Sequence, residues 1–277
     1  MSDSQTLRYA LVTGGGSGLG QEFCLHLAAK NWHVVVVDID IAAAEQTVTD
    51  LAAQGGSGQA EQLDVTELQA WVEFVSRLKK NLPRIDLLVN NAGICSAGEL
   101  GNTSIETFMR TVEVNLHGVL NGCHAMIPWL KESAVHGHIV NVSSIFGVIS
   151  PPAMGAYNLS KAGVISISET LTGELASYQI GVTVVMPGFF ETRLLEHACF
   201  DSKAQEIIAA DYMYNAKITA KDVVEQTLEA IKQKKMYVVL GSKARWYWRL
   251  KRLMPRKMVR LVARRYQKKA QYLRNTD

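Results

Sequence analysis

The chain lacks any disulfide framework. Cys24, Cys95, Cys123 and Cys199 stand far apart, with no Cys-x-x-Cys pair and no histidines at metal-ligand spacing. That excludes a small stapled scaffold and a zinc-finger arrangement. It points to free thiols in a reducing compartment and to no resident metal. The chain also lacks the roughly 18 unbroken apolar residues that a membrane-spanning helix requires. Its first residues are polar and run straight into a strand, so no secretory leader is expected. No internal repeat and no low-complexity tract is present. A cytoplasmic globular protein is the expectation. The 277 residues, 48% of them hydrophobic, suffice for the core of one large α/β domain or of one domain with an extension.

Acids are almost missing from one end. Residues 243–277 hold thirteen Lys or Arg and one acid, Asp277, whereas the rest of the chain holds sixteen basic and twenty-five acidic residues. The body is therefore mildly acidic and the tail strongly basic.

Short apolar runs alternate with amphipathic segments. Strands are expected at Tyr9 to Val12, His33 to Val37, the residues ending at Leu63, Asp86 to Val89, His138 to Val142, Val182 to Val185 and Tyr237 to Leu240. Helices are expected at Gly18 to Lys30, Ala42 to Gln54, Glu67 to Asn81, Ser104 to about Leu130, Gly155 to Tyr178 and Thr219 to about Gln233. This alternation argues for a parallel sheet covered on both faces. Residues 189–217 read as an irregular or partly helical insertion.

Between the first strand and the first helix stands Thr13-Gly14-Gly15-Gly16-Ser17-Gly18-Leu19-Gly20. Glycine permits the tight turn and the close approach of backbone N–H groups to a pyrophosphate. The helix N-terminus adds a favourable dipole. Gly14, Ser17, Gly18, Leu19 and Gly20 are thus candidate cofactor contacts. Asp38 ends the second strand, where a carboxylate accepts hydrogen bonds from both adenosine ribose hydroxyls and repels a 2′-phosphate. No Arg or Lys stands near it to receive that phosphate, so NAD is expected rather than NADP. Asp64 and Val65 follow the third strand, and Asn91 and Gly93 follow the fourth. All four belong at the carboxyl edge of the sheet, where open α/β folds bind ligands.

Tyr157 and Lys161 lie one helical turn apart. A phenol with an ordinary pKa of about 10 is a poor proton carrier at neutral pH, and a neighbouring cation is what makes it useful. Ser144 can hold and polarise a substrate oxygen. Asn115 can link Lys161 through water to solvent. Together they form a candidate site for moving a proton to or from a hydroxyl or carbonyl.

With these motifs in place the chain resembles the short-chain dehydrogenase/reductase superfamily in its single-domain form. The resemblance rests on Thr13 to Gly20, Asp64, Asn90 to Gly93, Asn115, Ser144, Tyr157, Lys161, Pro187-Gly188 and Thr192, and it spans residues 7 to about 241. It implies a Rossmann-type doubly wound sheet of seven strands in the order 3-2-1-4-5-6-7. It implies that Asn115, Ser144, Tyr157 and Lys161 are catalytic and that Pro187, Gly188, Phe190 and Thr192 line the nicotinamide end. The family often carries a smaller aliphatic residue where Phe190 stands. It further implies a homodimer or homotetramer paired through the helices at about 104–130 and 154–178. The reaction expected is hydride transfer at nicotinamide coupled to proton transfer through Tyr157. An NAD preference points to alcohol oxidation as the physiological direction. An NADPH-linked ketone or 3-oxoacyl reductase, and a silent dinucleotide-binding scaffold, are the alternatives.

Candidate substrate contacts are Ile94, Phe146, Met154, Phe189 and Leu194, an apolar set that suits a lipophilic secondary alcohol or its ketone. Residues 1–242 then form the catalytic domain, with a substrate lid at about 189–217. Residues 243–277 form a basic amphipathic extension of two helices split at Pro255. Met258, Leu261, Val262 and Tyr266 recur at helical spacing in it. Peripheral contact with an anionic membrane and packing on the chain's own body are both open readings. No recognition fold surrounds the basic residues, so no nucleic acid is expected.

Overall fold

A computed structural model describes residues 7–133, 136–188, 198–203, 205–207 and 218–274, without the side chains of 270 and 272–274. Among them, seven parallel strands form one sheet: β1 (Arg8–Thr13), β2 (Trp32–Asp38), β3 (Ser57–Gln62), β4 (Leu87–Asn90), β6 (His138–Val142), β7 (Gly181–Pro187) and β9 (Tyr237–Leu240). Their order is β3-β2-β1-β4-β6-β7-β9. This is the expected order once β5 (Ser96–Ala97) and β8 (Cys199–Phe200) are set aside, because those two pair only with each other.

The apolar strands alternate between two cores. Leu11, Val35, Leu88 and Ile139 face α3 (Leu68–Asn81), α5 (Gly118–Ser133) and α7 (Gly155–Glu174), where Trp71, Phe74, Met126 and Val164 cover them. Val12, Val34, Val36, Val89 and Val140 face the other way. They meet α1 (Gly18–Ala28), α2 (Ile41–Ala53) and α8 (Ala220–Lys232) through Phe23, Leu27, Leu51 and Val224. Burial on both faces is why the strands read as unbroken apolar runs. Caps end the helices where the residues dictate. Gly55 takes a left-handed φ of 78° just beyond α2, and Thr219 with Asp222 closes a capping box on α8.

The segment expected as one helix from Ser104 is divided. Ser104 caps α4 (Ile105–Val112), a π-helical turn follows at Glu113–His117, and α5 continues. Hydrophobic periodicity does not register such an extra residue, which tertiary contacts at the turn impose. The helix expected over 155–178 ends at Glu174, with a 3₁₀ turn at Ala176–Tyr178. The basic tail does form two helices, α9 (Ser242–Leu253) and α10 (Pro255–Arg274). Pro255 occupies the first turn of α10, where its missing N–H costs nothing. Met258, fully buried, with Leu261 and Val262 packs against Ile145 and Ile149 around the short helix α6 (Phe146–Ile149). The apolar stripe thus covers the chain's own body, and the membrane reading loses its main support. Trp246 and Leu253 on α9 remain exposed. No helix of the described residues is long and apolar enough to cross a membrane.

Candidate active site

One cavity of about 700 Å³ runs along the carboxyl edge of the sheet, from the glycine turn to α6 and the C-terminal helices. At its first end the chain turns after β1. Gly14 has a φ of 63°, and a Cβ there would come within 2.9 Å of Ala92 Cα. Ser17 precedes α1 in extended conformation without a side-chain cap, so the first amides of α1 are left for another acceptor. Gly20 does not line the cavity. Its Cα side presses on Gly14, where a Cβ would fall 1.9 Å from the carbonyl oxygen. A glycine there allows the close packing of helix on loop.

Asp38 carries two backbone bonds. Oδ2 accepts the Gly16 N–H at 2.9 Å and Oδ1 accepts the Asp40 N–H at 3.1 Å. The carboxylate is therefore held at the cavity wall. Asn91 lines the cavity, but its Nδ2 donates to Thr13 O at 3.0 Å and Gly14 O at 3.2 Å, so it braces the turn from β4. Asp64 and Val65 also line this end. Burial pushes the Asp64 carboxyl up, yet the Thr66 N–H and hydroxyl and the nearby Arg110 guanidinium outweigh it and hold the group below its usual range. Arg110, at 3.7 Å from Asp64, is a wall residue that sequence reasoning missed. Nothing in a lone arginine on a helix signals it.

At the middle stand Ser144, Tyr157 and Lys161. Ser144 follows β6 and accepts the Phe146 N–H at 3.1 Å. Its hydroxyl lies close enough to the Tyr157 phenol to oppose the effect of burial there. Tyr157 is buried, with Phe146 set edge-on at 6.2 Å between ring centroids. Lys161 Nζ donates to Val142 O at 2.9 Å and lies 5.7 Å from the Tyr157 ring centroid. Gly93 is a glycine because a Cβ there would meet Asn115 Oδ1 at 3.0 Å and Lys161 Nζ at 3.4 Å.

Burial bears on one of these expectations and hydrogen bonding on another. The cation was expected to bring the phenol down. Instead burial dominates and pushes Tyr157 well above its ordinary value, with only the Ser144 hydrogen bond opposing. Burial likewise lowers Lys161 from 10.5 to about 8. Asn115 was expected to relay protons from Lys161 through water. It is fully buried in the π-helical turn. Its Oδ1 accepts the Ile94 N–H at 2.7 Å, and its Nδ2 donates to Ile94 O at 2.9 Å and to Ser160 Oγ at 3.3 Å. The side chain clamps the Ile94 backbone. Cys95, also missed, lies close enough to Lys161 to feel its charge. Burial pushes its thiol up to about 12, which keeps it neutral.

At the far end Ile94, Phe146, Met154, Pro187 and Gly188 line the cavity as expected. Phe189, Phe190, Thr192 and Leu194 lie outside the described residues, as does most of the 189–217 segment. Ser150 and Ala153, at φ 48° and 58°, hold strained left-handed conformations around Pro151-Pro152, and that loop forms part of the wall. The wall is completed by residues no motif announced: Tyr247 from α9, and Val262, Arg265, Tyr266 and Lys269 from α10.

A doubly wound sheet with a glycine turn after β1, an acid ending β2, and a serine, tyrosine and lysine around one cavity defines a dinucleotide-fold protein with a polar reaction centre. Within that class the chain belongs to the short chain dehydrogenase family, whose model matches residues 8–203. It is 34% identical over 255 residues to the "Probable oxidoreductase EphD" of Mycobacterium bovis, covering 88% of this chain and 43% of that protein. The chain thus spans less than half the length of that relative. It is 35% identical over 189 residues to the cyclopentanol dehydrogenase of Comamonas testosteroni, covering 68% of this chain and 75% of that one. A crystal structure of a short chain dehydrogenase/reductase from Burkholderia phymatum in complex with NAD superposes with a TM-score of 0.83 at 28% identity, covering 89% of this chain and 93% of that chain.

Proposed function

We propose that the chain is an NAD-dependent oxidoreductase that interconverts a lipophilic secondary alcohol and its ketone. The observation that carries this reading is the single cavity joining the α1 N-terminus and Asp38 to Ser144, Tyr157 and Lys161. Residues 1–242 are the catalytic unit in this reading and 243–277 an arm upon it. The turn fits a dinucleotide: uncapped α1 amides suit the pyrophosphate, and the positioned Asp38 carboxylate suits two ribose hydroxyls and opposes a 2′-phosphate. Asp64 and Val65 border the adenine end, and Pro187 and Gly188 the nicotinamide end. NAD bound there supplies the hydride acceptor.

The chain's own groups do the rest. Ser144 Oγ fixes the substrate oxygen beside Tyr157 Oη. Tyr157 exchanges the proton with that oxygen, as donor toward a ketone and as acceptor from an alcohol. Lys161 stabilises the phenolate side of that exchange at short range. Asn115 is a positioning residue that holds the Ile94 backbone and the Lys161 surroundings. Burial raises the phenol above its ordinary value, which favours the protonated form from which Tyr157 donates to a ketone. Ile94, Phe146 and Met154 suit an apolar substrate body, and Phe189, Phe190, Thr192 and Leu194 are proposed to complete that wall. The homologous cyclopentanol dehydrogenase favours the alcohol reading by its name. Exposed Ile105, Met109 and Leu159 on α4 and α7 support pairing of two copies through those helices, in a cytoplasmic protein. A panel of apolar secondary alcohols with NAD and with NADP, followed by reduced-nicotinamide absorbance, tests the reading. NADH formation with NAD is expected. Faster turnover with NADP overturns the cofactor assignment, and silence across the panel overturns the activity.

A further inference from the structure

The C-terminal arm does more than cover α6. Val262, Arg265, Tyr266 and Lys269 fall at i, i+3, i+4 and i+7, which is one face of α10, and that face lines the cavity. The face changes character along its length. Val262 stands with Ile145, Phe146 and Ile149 near the reaction centre. Arg265 and Lys269 follow, and Lys269 lies roughly 10 Å further along the helix than Val262. Arg265 is exposed on the cavity wall. Its guanidinium is hydrogen-bonded to the Tyr247 phenol and lies 5.8 Å from that ring's centroid. Tyr266 and Lys269 each engage a neighbour as well.

The other charges on the wall are placed differently. Asp38, Asp40 and Asp64 stand at the glycine-turn end, and Arg110 there faces Asp64 and Glu113. Lys161 is spent inside, on the Val142 carbonyl. The phosphate cradle follows β1, whereas α6, on which α10 packs, follows β6. β4 lies between those strands, so the α6 contact made by Met258 and Val262 is about 10 Å from the cradle across the sheet.

We propose that Arg265 and Lys269 form an anion-recognition site for the substrate. The substrate is then an apolar chain or ring system with its secondary alcohol or ketone at Tyr157 and an anionic group, carboxylate or phosphate, at the mouth. This rests on the alcohol–ketone reading above. Apolar walls between the reaction centre and the cations set the spacing, and hydrogen bonding of two cations to one anion supplies the selectivity.

The test compares (ω−1)-hydroxydecanoate with its methyl ester, using the full chain and NAD. The acid is expected to show a kcat/KM higher on the order of tenfold or more. In the double variant Arg265→Gln/Lys269→Gln the acid-to-ester ratio is expected to fall to about one. The charge-keeping pair Arg265→Lys/Lys269→Arg should retain most of it. Equal turnover of acid and ester by the unaltered chain overturns the proposal, as does a preference that survives the Gln pair. A loss of NAD affinity in the Gln pair equal to the loss for the acid also overturns it, since the cations then serve the cofactor. Calorimetric titration of decanoate against methyl decanoate repeats the comparison without turnover. Silence of the alcohol panel with tighter decanoate binding would therefore fail the activity reading and keep the anion site. Turnover of both substrates alike would do the reverse. Decanoylphosphate in place of decanoate separates a phosphate-selective site from a carboxylate-selective one.

Discussion

The two ends of the cavity are built in opposite ways. The glycine-turn end is assembled from backbone at strand termini: uncapped amides of α1, the bent residues from Gly14, and an acid held by Gly16 N–H. The far end is assembled from side chains on remote segments, with Ile145 and Ile149 meeting Met258 and Val262 across more than a hundred residues. The first is a geometry any chain with that local order adopts. The arm's share of the second exists only while α10 stays docked on Ile145 and Ile149. One end therefore supports a common chemistry, and the other tailors the occupant.

Four changes break or sharpen this contrast. Removing the Tyr157 hydroxyl strikes between the two ends and has the largest effect. Tyr157→Phe is expected to lower kcat by about 10²–10⁴ while NADH binding, read by fluorescence, holds. Near-normal turnover would end the assignment of Tyr157 as proton carrier.

Next comes the backbone-built end. Asp38→Asn keeps an acceptor for Gly16 N–H but removes the charge that opposes a 2′-phosphate. The NAD-over-NADP preference in kcat/KM should drop by on the order of tenfold to a hundredfold. An unchanged ratio would mean that Asp38 does not select the cofactor.

The side-chain end responds to Met258→Ala. Emptying that fully buried site should cost roughly 2–5 kcal/mol of local packing. It should open α10 to limited proteolysis and raise KM for apolar alcohols, with NAD affinity retained. Equal losses for alcohol and NAD would erase the distinction between the ends.

The smallest effect is with pH. Lys161 has a folded value of about 8 against an ordinary 10.5. Its charge is lost above about 8, so kcat/KM for ketone reduction should fall as pH rises through that value. Stability should move the other way. Between about 8 and 10.5 the unfolded chain binds more protons at this group than the folded one, so its contribution to stability rises with pH across that window. Denaturant titrations of the unaltered chain and of Lys161→Met should differ by that slope. Parallel curves would mean that Lys161 is not perturbed.

Legibility in the sequence followed the distance over which each feature is decided. Asp38, one strand after the glycine turn, was readable because β2 must end beside β1. Tyr157 and Lys161 were readable because a helix sets four residues on one face. Arg110 and Cys95 carried no signal, since each matters only by what the fold puts next to it. The bonds from the Asn115 side chain to the Ile94 backbone carried no signal either, since no periodicity encodes that contact. The arm's apolar spacing was visible, but spacing states that a face needs cover and not what covers it.

The sequence by itself determined the alternating strands and helices, the turn of Gly14 to Gly18, the acid at Asp38 and the Ser144, Tyr157 and Lys161 set. These rest on φ/ψ freedom, side-chain period and hydrogen bonds between near neighbours. Only the tertiary structure decided that burial raises the Tyr157 phenol, that the Asn115 side chain bonds the Ile94 backbone, and that a strongly basic tail becomes a wall of the cavity. Burial and long-range packing set those outcomes. They arise when residues such as Ile149 and Met258 leave water together, which no local stretch of chain can specify.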